Sequence, residues 1–163
     1  MLATRRALSE SPPALYEEVR AQARALFEGE RDATANAANL AALLFHSLPD
    51  LNWAGFYWLR GGELVLGPFQ GRPACVRIAL GKGVCGTAAA ERRTLVVPDV
   101  HAFPGHIACD AASLSEVVVP VIRAGRVLGV LDLDSPRAAR FAEEDARGLE
   151  GIVRAFVDAT DLG

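Results

Sequence analysis

No stretch of this chain is long and apolar enough to cross a membrane without charges, and its opening residues, MLATRRALSESPPALYEEVR, contain no apolar run of signal-peptide length. The expectation is a cytoplasmic protein with no membrane partner. Basic charge is not in excess either: 17 Lys and Arg stand against 20 Asp and Glu, a net charge of -3, so nucleic acid is not an expected partner. Cysteine is scarce and odd in number. Cys75, Cys85 and Cys109 include no close C-x2-C pair, which disfavours both a multi-bridge disulfide scaffold and an ordinary structural zinc site. Repeats and linker-like stretches are missing as well. One domain over 1–163 is expected, with residues 1–13 as a flexible leading segment, and a chain of this size buries roughly two thirds of its unfolded surface.

What is present reads first as helix. After Ser11-Pro12-Pro13, the apolar residues Leu15, Val19, Ala23 and Leu26 recur at helical spacing and predict a helix from about Ala14 to Glu28. Asp32 is placed to cap a second helix carrying Leu40, Leu43 and Leu44, with Pro49 just past its end. The pattern then changes to strands. NWAGFYWLR and ELVLGPF flank Gly61-Gly62, a hairpin turn; CVRIAL reads as a third strand, GTAAAERR as a short helix and TLVVPDV as a fourth strand. SEVVVPVIR and RVLGVLDLDS flank Ala124-Gly125 as a second hairpin, and a last helix over 141–158 turns Leu149, Ile152, Val153 and Phe156 inward. Helices, hairpin-paired strands and a closing helix describe an α+β domain with a mostly antiparallel sheet.

GKGVCG, Gly81 to Gly86, matches the dinucleotide-binding pattern G-x-G-x-x-G, and Asp99 follows at a fitting distance. The helical stretch from Thr87 to Arg93 is too short for a parallel crossover, and the hairpins oppose a parallel sheet, so these glycines are read as a turn that lets backbone pass close to a neighbouring loop or ligand. Cys85 falls at the start of that short helix, where free N–H groups and the helix dipole favour a thiolate. Cys109 lies in HAFPGHIACD, beside His106 and Asp110 on a loop turned by Pro104-Gly105, and competes for the same role. A zinc set would take His101, His106 and Cys109 with Cys75 or Cys85; the spacing disfavours it, and no metal is expected.

Asp132 and Asp134, two apart in VLDLDS, share one face of a strand while Leu131 and Leu133 take the other. Glu116 joins them only in one register: a three-residue hairpin loop sets it opposite Asp134, a two-residue loop opposite Leu133, and a bulge at Pro120 is one way to restore the match. A carboxyl cluster raises the pKa of at least one member, giving both an anion for an ammonium group and a proton donor. Trp53 and Tyr57 share a strand face with Gly55 making room between them, as core residues or as a cage for a small apolar or cationic group.

Taken together, GPFQGRPACVRIALGKGVCGTAAA, VPDVHAFPGHIACDAASLSEVVVPV and GVLDLDS resemble the GAF-domain free methionine-(R)-sulfoxide reductases, and the likeness continues into FAEEDARGLEGI, where Ala142 stands at a position such domains often give to a Ser or Thr cap. The resemblance implies a six-stranded, mostly antiparallel sheet flanked by helices, the N- and C-terminal helices on one side, in a homodimer that acts on the free amino acid. It implies Cys109 as nucleophile, Cys75 as the resolving thiol with Cys85 as the alternative, and a proton donor among Glu116, Asp132 and Asp134. A sulfenic acid on Cys109 would then give way to a disulfide, reduced by thioredoxin from outside, with no bound cofactor. Trp53 and Tyr57 would pack on the S-methyl end, the three carboxylates would hold the α-ammonium, and backbone N–H groups around 113–116 would take the α-carboxylate. The loop around Cys109 is expected to move between the redox forms. The rival reading is a GAF sensor module that binds a small ligand without chemistry.

Overall fold

Ser11 opens the first helix by accepting from the Ala14 N–H, and prolines at its first two positions surrender no intrahelical bond there. The structure, a computed structural model, describes residues 11–107 and 109–163. Helix α1 runs Pro12–Phe27, two residues earlier than the apolar spacing predicts; Pro12 and Pro13 are therefore helical rather than flexible, and the rest of the expected leading segment, residues 1–10, lies outside the described residues. Helix α2, Ala33–Ser47, is capped by Asp32 as expected. Strands β1, Trp53–Arg60, and β2, Glu63–Gly71, turn through Gly61-Gly62, both at positive φ, the backbone a tight two-residue hairpin requires. Strand β3 is only Arg77–Ala79, and helix α3, Gly83–Glu91, begins inside the glycine motif rather than after it. Strand β4, Leu95–Val97, a 3-10 turn at Val100–Ala102, and the β5–β6 hairpin, Ser115–Arg123 and Arg126–Ser135, lead to helix α4, Glu143–Ala159.

Among the described residues the strands form one six-stranded sheet in the order β3-β2-β1-β6-β5-β4, every neighbouring pair antiparallel. Strand alternation gives it two unlike faces. Ala54, Phe56, Val117, Val119, Leu131 and Leu133 point to one side, where α2 and α4 pack on the sheet and α1 packs on both helices, so the first and last helices share a side. This layer holds the main core. The opposite face carries Trp53, Tyr57, Val118 and Val130, with Leu95 and Val97 of β4, and is covered by α3 and loops. Polar residues fall on this second face, which positions the site.

Ala142 offers no side-chain cap, yet α4 starts firmly. Asp145 Oδ2 accepts from the Ala142 N–H at 2.8 Å, while its Oδ1 accepts from Tyr16 Oη at 2.8 Å and Arg140 Nη1 at 3.1 Å. One carboxylate thus replaces the missing cap and ties α4 to α1.

Candidate active site

The register of the β5–β6 hairpin decides whether the carboxyls meet. The loop has two residues, Ala124 and Gly125, both at positive φ, which alone would set Glu116 opposite Leu133. Between the pairs Val121↔Gly129 and Ile122↔Val127 one extra residue, Leu128, bulges from β6, and from there onward Glu116 pairs with Asp134 and Val118 with Asp132. The bulge lies on the partner strand; Pro120 itself pairs regularly with Val130. Strand β1 extends both rows, Trp53 opposite Asp134 and Gly55 opposite Asp132, so Glu116, Asp134 and Trp53 line up across three strands.

Gly55 is needed here. A Cβ at this position would stand 2.3 Å from Phe69 Cβ and 2.7 Å from Trp53 Cη2, so only glycine lets Trp53 lie between β1 and β2. Trp53 stacks on Phe69 at 5.2 Å and on Tyr57 at 5.8 Å between ring centroids. The polar ends of these rings hold the next segment in place: Trp53 Nε1 donates to the Arg72 carbonyl at 3.1 Å, and Tyr57 Oη donates to the Cys75 carbonyl at 3.1 Å. Gly55→Ala is expected to cost about 1–3 kcal/mol by overpacking, read as a lower thermal midpoint, and to shift indole fluorescence because Trp53 must move.

Cys75, held by Tyr57, is joined to Cys109 in a disulfide. The Cys109 loop is anchored on its far side: Ala112 N–H and Asn52 Nδ2 both donate to the Asp110 carboxylate, and Asn52 Nδ2 also reaches Ser113 Oγ at 3.0 Å. Ile107 packs within 3.2 Å of where a Gly83 Cβ would be, so the glycine motif admits a neighbouring loop, as its composition suggested. Gly86 has the same kind of constraint, since its Cβ would meet the Ala79 carbonyl at 2.3 Å.

Cys85 belongs to α3 and is aimed at the sheet, its Sγ 3.8 Å from Glu116 Oε1. The helix-terminus argument for a thiolate fails there. Burial, then the charges of Asp132, Glu116 and Asp134, push the thiol well above its ordinary range, so Cys85 is a protonated, buried thiol. The carboxyls respond in the same direction. Burial, with Asp132 and Asp134 beside it, pushes Glu116 well above 4.5; burial raises Asp132 to about 6; burial and Asp132 raise Asp134. Glu116 and Asp132 are buried and Asp134 half-buried, and one oxygen of Asp132, Oδ1, is left without a hydrogen-bond partner.

Trp53, Tyr57, Cys85, Cys109 and the three carboxyls line one cavity, partly open to solvent, whose wall Cys75 does not join. Three further residues join the lining, of which the Arg72 and Ser113 side chains escaped the sequence reading. Arg72, an exposed residue, lies at the wall, as do Asn52-bonded Ser113 and His106, whose Nε2 is 4.0 Å from Glu116 Oε2. His106 was named in HAFPGHIACD as a neighbour of Cys109 and a candidate metal ligand; Arg72 carried no signal at all. Conversely, the N–H groups expected to take an anion are partly committed, Ser113 to the Asp110 carbonyl and Leu114 to the Ser135 carbonyl. The zinc set considered from spacing is not assembled, because Cys109 and Cys75 are bonded to each other.

Fold and site together define a GAF-domain protein with a disulfide beside a carboxyl-lined cavity, and residues 34–161 match the GAF domain family. The chain is 57% identical over 136 residues to Protein YtsP of Bacillus subtilis, covering 82% of this chain and 83% of that one. It is 51% identical over 138 residues to the free methionine-R-sulfoxide reductase of Escherichia coli, covering 85% of this chain and 84% of the relative. Among solved structures it is similar to the free methionine-R-sulfoxide reductase of Neisseria meningitidis in complex with its substrate, with a TM-score of 0.93 and 45% identity over 98% of this chain and 95% of that one. The chain belongs to the GAF-domain free methionine-R-sulfoxide reductase family.

Proposed function

We propose that the protein reduces free L-methionine (R)-S-oxide to L-methionine, using Cys109 as nucleophile and Cys75 as resolving thiol. The observation that carries this reading is the Cys75–Cys109 disulfide, one half of which lines the cavity that also holds the three carboxyls and the Trp53–Tyr57 wall. With the disulfide reduced, the Cys109 thiolate attacks the sulfoxide sulfur while Glu116, kept neutral by burial and by its anionic neighbours, gives its proton to the oxygen. The hydroxyl so formed then passes from the methionine sulfur to the Cys109 sulfur as the bond made by the attack breaks, so methionine leaves with its sulfur reduced and Cys109 is left as a sulfenic acid. The Cys75 thiol displaces that oxygen as water and restores the disulfide. A dithiol protein of the thioredoxin class then reduces the bridge by thiol exchange, becoming a disulfide itself.

Asp132, the carboxyl nearest its ordinary range, supplies the anion for the α-ammonium, with its unpartnered Oδ1 as acceptor and Asp134 beside it. Arg72 supplies the cation for the α-carboxylate, in place of the backbone groups that the loop already uses. The S-methyl group packs on Trp53 and Tyr57. A pocket of this kind recognises both charged ends of one amino acid, which a residue within a polypeptide lacks. The homodimer implied by the resemblance and the cytoplasmic setting expected from the sequence belong to this reading as well.

The test follows NADPH loss with purified protein, thioredoxin and thioredoxin reductase. Turnover is expected with free methionine (R)-S-oxide and not with the (S) epimer or with a peptide carrying methionine sulfoxide. Equal rates on the peptide would end the free-amino-acid reading; no turnover on any of the three would end the reductase reading.

A further inference from the structure

Cys85 has no part in the proposed cycle, yet it is placed with more care than a filler of the core. Its Sγ and one oxygen each from Glu116 and Asp132 lie within 4.8 Å of one another, and all three residues are buried. The Sγ to Glu116 Oε1 separation is 3.8 Å. A tetrahedral ion with a metal–sulfur distance of ~2.3 Å and a metal–oxygen distance of ~2.0 Å holds sulfur and oxygen about 3.5 Å apart, so small side-chain shifts complete the edge. Asp132 Oδ1 is the second, independent sign. It belongs to a residue only 6% exposed and has no hydrogen-bond partner, a condition that buried carboxylates do not ordinarily tolerate. Among the described residues, the ion pairs bring no Lys or Arg to Glu116 or Asp132; the imidazole of His106 lies 4.0 Å from Glu116, and burial, then His101, lower its pKa and disfavour its charged form.

We propose that Cys85, Glu116 and Asp132 bind one thiophilic divalent cation of the Zn2+ class, with a fourth position facing the cavity. The donor set selects the ion. A thiolate is a poor ligand for Mg2+ or Ca2+, which also require six or more oxygens, whereas one sulfur and two carboxylate oxygens suit zinc and its spectroscopic substitute cobalt. An ion at this position occupies the carboxyls that the reductase reading assigns to the substrate, so the two exclude each other. The site itself does not depend on that reading, and it differs from the histidine-containing set considered from sequence spacing.

The disulfide form of the protein isolates the question, because Cys85 is then the free thiol among the described residues. Oxidised protein, verified to carry one free thiol per chain, is titrated with Co2+ and then with Zn2+ in the absence of air. One Co2+ per chain is expected, with a thiolate-to-cobalt charge-transfer band that Zn2+ abolishes by displacement. Cys85→Ser is expected to lose the band. Because that variant alters a packed position, Asp132→Asn is measured beside it; it keeps the thiol and is expected to bind Co2+ about tenfold more weakly or worse. No band at saturating Co2+, a band that survives Cys85→Ser, or unchanged affinity in Asp132→Asn would each overturn the proposal.

Discussion

Cys109→Ser is expected to leave less than about one part in 10³ of wild-type kcat, with the fold intact. A serine hydroxyl presents no thiolate, and alkoxide is out of reach at neutral pH, so neither the bond to the sulfoxide sulfur nor the later bridge to Cys75 can form. Cys75→Ser is expected to fail differently. Its first turnover proceeds and releases about one methionine per chain, after which the sulfenic acid on Cys109 accumulates and steady turnover stops. Rapid-quench counting of methionine, with whole-protein mass spectrometry for the added oxygen, separates the two outcomes. Continued turnover in Cys75→Ser would hand the resolving role to Cys85, which shares the cavity lining with Cys109. A full first turnover in Cys109→Ser would remove the nucleophile assignment altogether.

What could be read from residues alone follows a physical divide. Alternation along a strand is local, so Asp132 and Asp134 on one face, and Trp53 and Tyr57 on another strand of that face, were legible from spacing. Turn chemistry is local as well: Gly61-Gly62 and Ala124-Gly125 mark hairpins because both central residues need positive φ. The meeting of Glu116 with Asp134 was not legible. It depends on the extra residue Leu128, and nothing in a run of Val, Leu and Gly says which member leaves the ladder. Spacing left two registers open, and the bulge selects the one that assembles the three carboxyls.

The same divide explains the misreading of Cys85. Its place in the first turn of α3 is a local fact that favours a thiolate by at most about 1–2 kcal/mol. Its neighbours are not local. Glu116 comes from β5 and Asp132 from β6, and their charges, together with burial, outweigh the helix terminus and keep the thiol protonated. Arg72 at the cavity and the approach of His106 to Glu116 are legible only in space, since each lies on a loop whose path is set by other contacts. Trp53 and Tyr57 hold the 72–75 segment through its carbonyls, and the disulfide, with Asn52, holds the Cys109 loop.

Glu116→Gln is expected to lower kcat by about 10²- to 10⁴-fold with KM little changed, and at the same time to stabilise the fold in a pH-dependent way. The amide keeps the shape and one hydrogen bond, but it has no proton to give the departing oxygen, while Asp132 and Asp134 still hold the ammonium. The stability effect has a fixed sign. Below pH 4.5 the side chain is protonated in folded and unfolded chains alike. Above it, the unfolded chain releases the proton and the folded chain, with Glu116 raised by burial and by Asp132, does not, so wild-type stability falls as pH rises until the folded carboxyl ionises. Asp132 adds a similar loss between pH 3.8 and about 6, of roughly 3 kcal/mol, which the Gln variant keeps in whatever part does not come from its coupling to Glu116. The thermal midpoint of Glu116→Gln should therefore match wild type near pH 4 and exceed it by a growing margin toward pH 8. An offset that stays constant with pH would mean that Glu116 titrates in the folded chain as it does in the unfolded one and is ionised at neutral pH, and a carboxylate in that state has no proton to deliver to the sulfoxide.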